Sequence, residues 1–169
     1  MNVMPTIRFH SQMDMLQKVA RLNFDGNVTC DNGCNWCCHQ PVAVTVNEAH
    51  LIHFLVQKYE IPLDHDRIEK QIGWGADSDK WKDQPMEDRR CGFLSDEGHC
   101  MIYEYRPLVC RAMITAMPEE DCRKGHEEFG PIDVLVDEKT RLLEEQAFSG
   151  QKVVLSNLLG QIIESEAAA

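Results

Sequence analysis

Cysteine is the residue type most able to do chemistry in this chain, and its positions are uneven. Cys30, Cys34, Cys37 and Cys38 fall inside the string C-D-N-G-C-N-W-C-C-H. A long cysteine-free stretch follows, and Cys91, Cys100, Cys110 and Cys122 then complete the eight. Thiolates bind soft and borderline metals, and a metal centre needs several of them converging within a few ångströms. A tetrahedral zinc or a cubane iron–sulfur cluster takes four ligands, so eight thiols suffice for two centres, or for one with four to spare. A lone buried cysteine behaves as a small apolar residue. Four within one short loop call for another explanation, and the chain reads as built around a metal held by its cysteines. The adjacent Cys37 and Cys38 project in different directions and need not serve one ion.

Bulk properties narrow the setting. With 169 residues and 43% hydrophobic residues, the expectation is one domain with its own core, spanning 1–169 around a cysteine-bearing part at 30–122. No apolar run approaches the roughly 18 residues of a membrane span, and the opening M-N-V-M-P-T-I-R-F-H lacks the pattern of a signal peptide. A cytoplasmic protein with no membrane partner is expected, and there reduced thiols favour metal ligation over disulfides. The net charge of −11 argues against a nucleic-acid surface. Arginines near the second cysteine group, among them Arg106 and Arg111, fit better as countercharges to anionic sulfur.

The elements that must position these cysteines read as mainly α, with a small β-hairpin. Ser11 to Phe24 has Met13, Leu16, Val19, Ala20 and Phe24 at helical spacing and ends at Asp25-Gly26-Asn27. Asn32-Gly33 lets the first cysteine loop turn tightly. After an extended Val42-Ala43-Val44, the capping-box pair Thr45 and Glu48 starts a helix near Val46, with Ala49, Ile52, Leu55 and Val56 on one stripe. Asp64 caps a further helix to Ile72, and Gly73 to Gln84 is loop with room for a helical turn. Cys91 to Tyr103 reads as a hairpin with Asp96-Glu97-Gly98 at its tip. Pro107 starts a helix over Leu108 to Met113, and Pro118 starts an acidic one. A C-terminal helical segment, 131–165, comprises a helix around Ile132 to Phe148, a break at Ser149-Gly150, and a final helix. That last helix carries Val154, Leu155, Leu158, Leu159, Ile162 and Ile163, and residues 164–169 read as a frayed tail.

Other polar residues carry weaker signals. His39 and His99 flank cysteines and could replace a thiolate, though surface roles are commoner for single histidines. His50 and His53 stand three apart on a helix, which an ordinary helix face explains. Trp74 and Trp81 either shield the centre from water or fill the core.

Cys30-x-x-x-Cys34-x-x-Cys37 has the ligand spacing of radical S-adenosylmethionine enzymes. The chain lacks the Gly-Gly pair and the β-α alternation those enzymes need. Both cysteine groups together give a closer match. C-x-x-x-C-x-x-C-C with V-A-V-T-V-N-E-A, and then C-G-F-L-S-D-E-G-H-C-M-I-Y-E-Y-R-P-L-V-C-R, resemble the zinc- or iron-chelating domain family. Its members are also called cysteine-cluster, YkgJ-type or Fe–S-cluster-containing proteins. The resemblance implies metal ligands at Cys30, Cys34, Cys37, Cys38, Cys91, Cys100 and Cys110, with Cys122 outside the tightest part of the motif but retained as a candidate. It also implies that Arg106 and Arg111 contact the metal-bound group by hydrogen bonds to sulfur.

The uneven spacing favours an iron–sulfur cluster, with zinc as the alternative, and the expected role is a metal or redox module with an unidentified protein partner. The alternative functions are a structural zinc protein or an iron–sulfur-dependent enzyme modifying a protein or peptide. Some family members are described as N-methylases of flagellin lysines, but those are longer chains. No catalytic residue stands out, so the sequence leaves enzymatic activity open.

Overall fold

The computed structural model describes residues 4–23, 28–30, 33–135, 137–147 and 150–167. Among them are eight α-helices and one two-stranded antiparallel sheet, so the chain is mainly helical. Phe24, residues 25–27, Asn32, Phe148 and Ser149 lie outside the described residues.

The first helix, α1 (Met4–Asn23), begins earlier than its apolar spacing predicts, with Pro5 in its first turn, where the missing N–H costs nothing. Its expected stripe is only partly inside: Met13 is buried, whereas Val19 is exposed. Strand β1 (Ala43–Thr45) leads directly into α2 (Val46–Tyr59). The Thr45 hydroxyl accepts from the Glu48 N–H while the Glu48 carboxylate accepts from the Thr45 N–H, which is the predicted capping box. Ala49, Ile52, Leu55 and Val56 are all buried. Asp64 caps α3 (His65–Trp74) as expected, and the helical turn allowed for in the following loop is α4 (Ser78–Lys82). Trp74 and Trp81 meet edge to face at 5.2 Å, with the Trp81 ring nitrogen donating to Gly75 O; Trp81 is buried and Trp74 half-buried.

Short helices α5 (Leu108–Ala112) and α6 (Glu119–Glu128) follow Pro107 and Pro118. The helix expected around Ile132 starts only at Glu138, as α7 (Glu138–Ala147). The segment before it is drawn off by Thr115, which bridges to Val134 and whose hydroxyl donates to Asp133 O. Strand β2 (Lys152–Val154) pairs with β1, Val44 standing opposite Val153. It runs into α8 (Leu155–Ala167), so the expected frayed end is still helical to Ala167.

The expected hairpin is the main correction. Leu94 and Cys100 form one antiparallel bridge, and no ladder extends from it among the described residues; the sheet is instead the long-range β1–β2 pair. Each arm curls into a turn of its own, the Leu94 N–H donating to Cys91 O at 2.9 Å and the Tyr103 N–H to Cys100 O at 3.2 Å.

Two apolar cores result. The larger joins β1, α2, α3 and α8 through residues such as Val44, Ile52, Ile68, Leu159 and Ile162, and includes Phe93 and Ile102 from the second cysteine segment. The smaller, Met13 with Leu108 and Ala112, fastens α5 to α1. No helix of the described residues is long and apolar enough to cross a membrane.

Candidate metal centre

Between the two cores lies a cavity of about 160 Å³. Its wall includes Cys30, Cys34, Cys37, Cys38, Cys91, Cys100 and Cys110, and among the described residues Cys122 is the one cysteine not on it. None of the eight is in a disulfide.

Each segment is held by backbone chemistry that local sequence dictates only in part. Thr29 is strapped across the molecule, its N–H donating to Thr115 O (3.1 Å) and its hydroxyl to Met117 O (2.7 Å). The Thr115 N–H in turn donates to Cys30 Sγ at 3.3 Å. Gly33 takes φ +106°, a conformation that favours glycine, and lets the loop reverse. A 3₁₀ turn at Trp36–His39 then carries Cys37 and Cys38. Its Cys38 N–H donates to Asn35 O, and the Asn35 amide donates to Gly98 O, pinning the first loop to the tip of the second. A 2.7 Å bond from the Cys91 N–H to Cys38 O joins the two cysteine groups directly.

Cys110 sits on α5, whose position depends on Glu48. Oε2 of this buried carboxylate accepts from the Thr45 N–H and hydroxyl, and Oε1 accepts from the Leu108 N–H at 2.6 Å and lies 3.1 Å from His10 Nε2. Burial pushes the Glu48 carboxyl up, yet the hydrogen bonds from His10, Thr45 and Leu108 outweigh it and hold the group below its ordinary value.

The surroundings of the sulfurs pull their thiols both ways, with burial the larger effect at most of them. Burial pushes the Cys34, Cys91 and Cys100 thiols up, and the backbone N–H groups two residues further on (Trp36, Phe93 and Ile102) only partly oppose it. Cys91 is pushed up to about 12 and Cys110 well above the usual thiol range. The Cys38 thiol donates to Cys37, which holds Cys37 down and pushes Cys38 up. Anionic sulfur at the buried positions therefore requires a cation beside it. Among the described residues, no three Cys, His, Asp or Glu side chains stand close enough together to hold one ion.

The arginines differ in their parts. Arg106 lies at the wall with its guanidinium 4.0 Å from the Tyr103 ring centre. Arg111 also lines the cavity, but its Nε donates to Arg106 O, Nη1 to Asp14 and Nη2 to Glu104 O, so it braces the loop before α5. Arg21 of α1 is a further wall residue; burial pushes the Cys30 thiol up, and the Arg21 charge works against that in a minor way. Nothing in the spacing of α1 marks Arg21, because the first helix and the cysteine loop meet only in three dimensions. His39 is buried with Nδ1 3.1 Å from Asn35 O, and His99 is exposed. His50 is exposed and His53 half-buried.

A family model described as "Putative zinc- or iron-chelating domain", CxxCxxCC, matches residues 29–134, well over half of the chain. No curated protein and no solved structure matches it.

Proposed function

The chain belongs to this CxxCxxCC family of zinc- or iron-chelating domains, and from that premise we propose that it binds an iron–sulfur cluster in the cysteine-lined cavity and serves as a metal-holding redox module. One observation carries the choice of a cluster over a single ion. Seven cysteines share the wall of one cavity of about 160 Å³ with apolar residues, and no three ligand side chains among the described residues are close enough together for one ion. A tetrahedral zinc sits about 2.3 Å from each sulfur, which forces the four sulfurs almost into contact. A cluster spreads its thiolates over several irons and needs room between them. By the same measure of volume one water needs roughly 10–15 Å³, so the space greatly exceeds that of a single small particle.

The donors fit such a group. Cysteines on both the first loop and the second segment would hold it, and the N–H groups of Trp36, Phe93, Ile102 and Thr115 would accept part of the sulfur charge, which raises a cluster's potential. Arg106 and Arg21 add positive charge at the wall, and Arg111 keeps the Glu104–Arg106 loop in place. When bound, the cluster would supply one-electron chemistry.

Anaerobic purification followed by iron, sulfide and zinc analysis tests this. A brown protein with a broad band near about 400 nm that bleaches reversibly on reduction is expected. A colourless protein holding stoichiometric zinc would overturn the cluster and turn the centre into a structural one.

A further inference from the structure

A surface helix of a folded domain turns an apolar stripe inward and a polar face to water. The first helix, α1, departs from that pattern. Its buried residues are Thr6, His10, Met13 and Gln17, of which Met13 alone is apolar and packs with Leu108 and Ala112 of α5. On the opposite side Ile7, Met15, Val19 and Leu22 recur at helical spacing over about 22 Å. All four are exposed, Met15 to 68% and Leu22 to 78%. Single exposed apolar side chains are ordinary, but a row of them along one helix face marks a surface that another molecule covers.

The charges on this outer side have one sign. Arg8 and Lys18 stand exposed among the apolar residues, and neither has an ion-pair partner among the described residues. The single acid of the helix, Asp14, is turned aside to Arg111 and matched there. The result is a basic, apolar strip on a chain whose net charge is −11. A second copy fits it poorly, because two such strips paired antiparallel about a two-fold axis set Arg8 against Lys18 with no acid to offset them. A membrane fits poorly too. Lipid-binding segments gather about four to eight basic residues, whereas this strip has two and the rest of the chain is acidic. The occupant that matches both features is a protein helix whose apolar stripe is flanked by Asp and Glu.

We propose that the outer side of α1 is the docking surface for a partner protein that lays an acidic amphipathic helix along Ile7 to Leu22. The place of α1 gives the contact a use. Arg21 of the same helix lines the cysteine cavity, and Asp14 holds Arg111 of that wall. A partner seated on α1 is therefore separated from the cavity by little more than the helix itself, about 10–12 Å across. The contact rests on the function proposed above only for that use, and its formation does not depend on which metal is held.

The test titrates the full-length chain, with whatever metal it purifies with, against two labelled synthetic helices sharing one leucine stripe. Glutamates flank the stripe in one peptide and lysines in the other, and fluorescence anisotropy reads the binding. The glutamate peptide is expected to bind about tenfold tighter or more, and Arg8→Glu with Lys18→Glu should reverse that order. Met15→Glu and Leu22→Glu are each expected to weaken the glutamate peptide about tenfold. All four side chains are exposed, so circular dichroism and melting should match wild type. Equal binding of the two peptides, or binding that Met15→Glu leaves unaltered, would overturn the proposal. A wild-type dimer in sedimentation that Met15→Glu dissolves would overturn it in favour of a self-contact. Flotation with phosphatidylserine vesicles, lost on the same change, would overturn it in favour of a membrane face. A colourless, zinc-holding chain that still prefers the glutamate peptide would sink the redox reading and leave the docking surface standing.

Discussion

At Glu48 a single carboxylate serves three segments of chain. It closes the capping box at the start of α2, meets His10 of α1, and accepts from the first N–H of the helix bearing Cys110. Hydrogen bonds to a buried charged group contribute about 1.5–3 kcal/mol each when one is removed, so Glu48→Ala is expected to lower stability by roughly 3 kcal/mol. The pH dependence follows from its direction of shift. The carboxyl is held below its ordinary value of 4.5 in the folded chain, so its contribution is complete above that pH and is lost as the pH falls through the folded value. Thermal melts of wild type and Glu48→Gln should differ most near neutrality and converge in acid. A constant gap down to the most acidic point would show that the charge itself contributes nothing.

Helices and turns differ in how far local residues determine them. Thr45 with Glu48 and Asp64 name their helix starts because a cap is a contact across three residues. The β1–β2 pair was not legible, since each strand has three residues and its partner lies on the other side of the cysteine segments. The Cys91–Tyr103 segment differs from the expected hairpin because alternation and a glycine tip look the same when each arm closes into a local turn, as Leu94 N–H to Cys91 O and Tyr103 N–H to Cys100 O do here. Clustering of the cysteines indicated that the two groups face one another. The straps that place them, Thr29 to Thr115 and Arg111 to Asp14, join residues far apart and left no pattern to read. Two glycines test how firmly the second segment sits on the core. A Cβ at Gly92 would come within 2.7 Å of Leu159 Cδ1 and 3.3 Å of Ile68 Cδ1, both side chains being fully buried. Gly92→Ala is therefore expected to cost about 1–3 kcal/mol by overpacking. Gly160→Ala would meet Ile72 Cδ1 at 2.3 Å, but Ile72 is 39% exposed and free to swing outward. With the helix gain of about 1 kcal/mol for alanine over glycine, that change should be close to neutral in denaturant titrations.

Across the whole molecule the cavity occupies the seam between the two cores. Phe93, Ile102 and Leu155 belong to the larger one, and Cys110 rides on the helix that the smaller one fastens to α1. A group bound to sulfurs on both sides acts as a rivet, stabilising the folded chain by about 4 kcal/mol when present at a thousand times its dissociation constant. Removing it with a chelator under reducing conditions should lower the melting temperature and speed proteolysis between residues 28 and 40, whereas equal protection of loaded and stripped protein would argue that the cores hold the seam unaided. Leu155 on the cavity wall also fixes the timing of assembly. A ribosome that has extruded every cysteine but not yet residue 155 presents thiols whose enclosure is still missing a side. A chain cut short before residue 155 should therefore leave the cavity open on that side even with every cysteine in place.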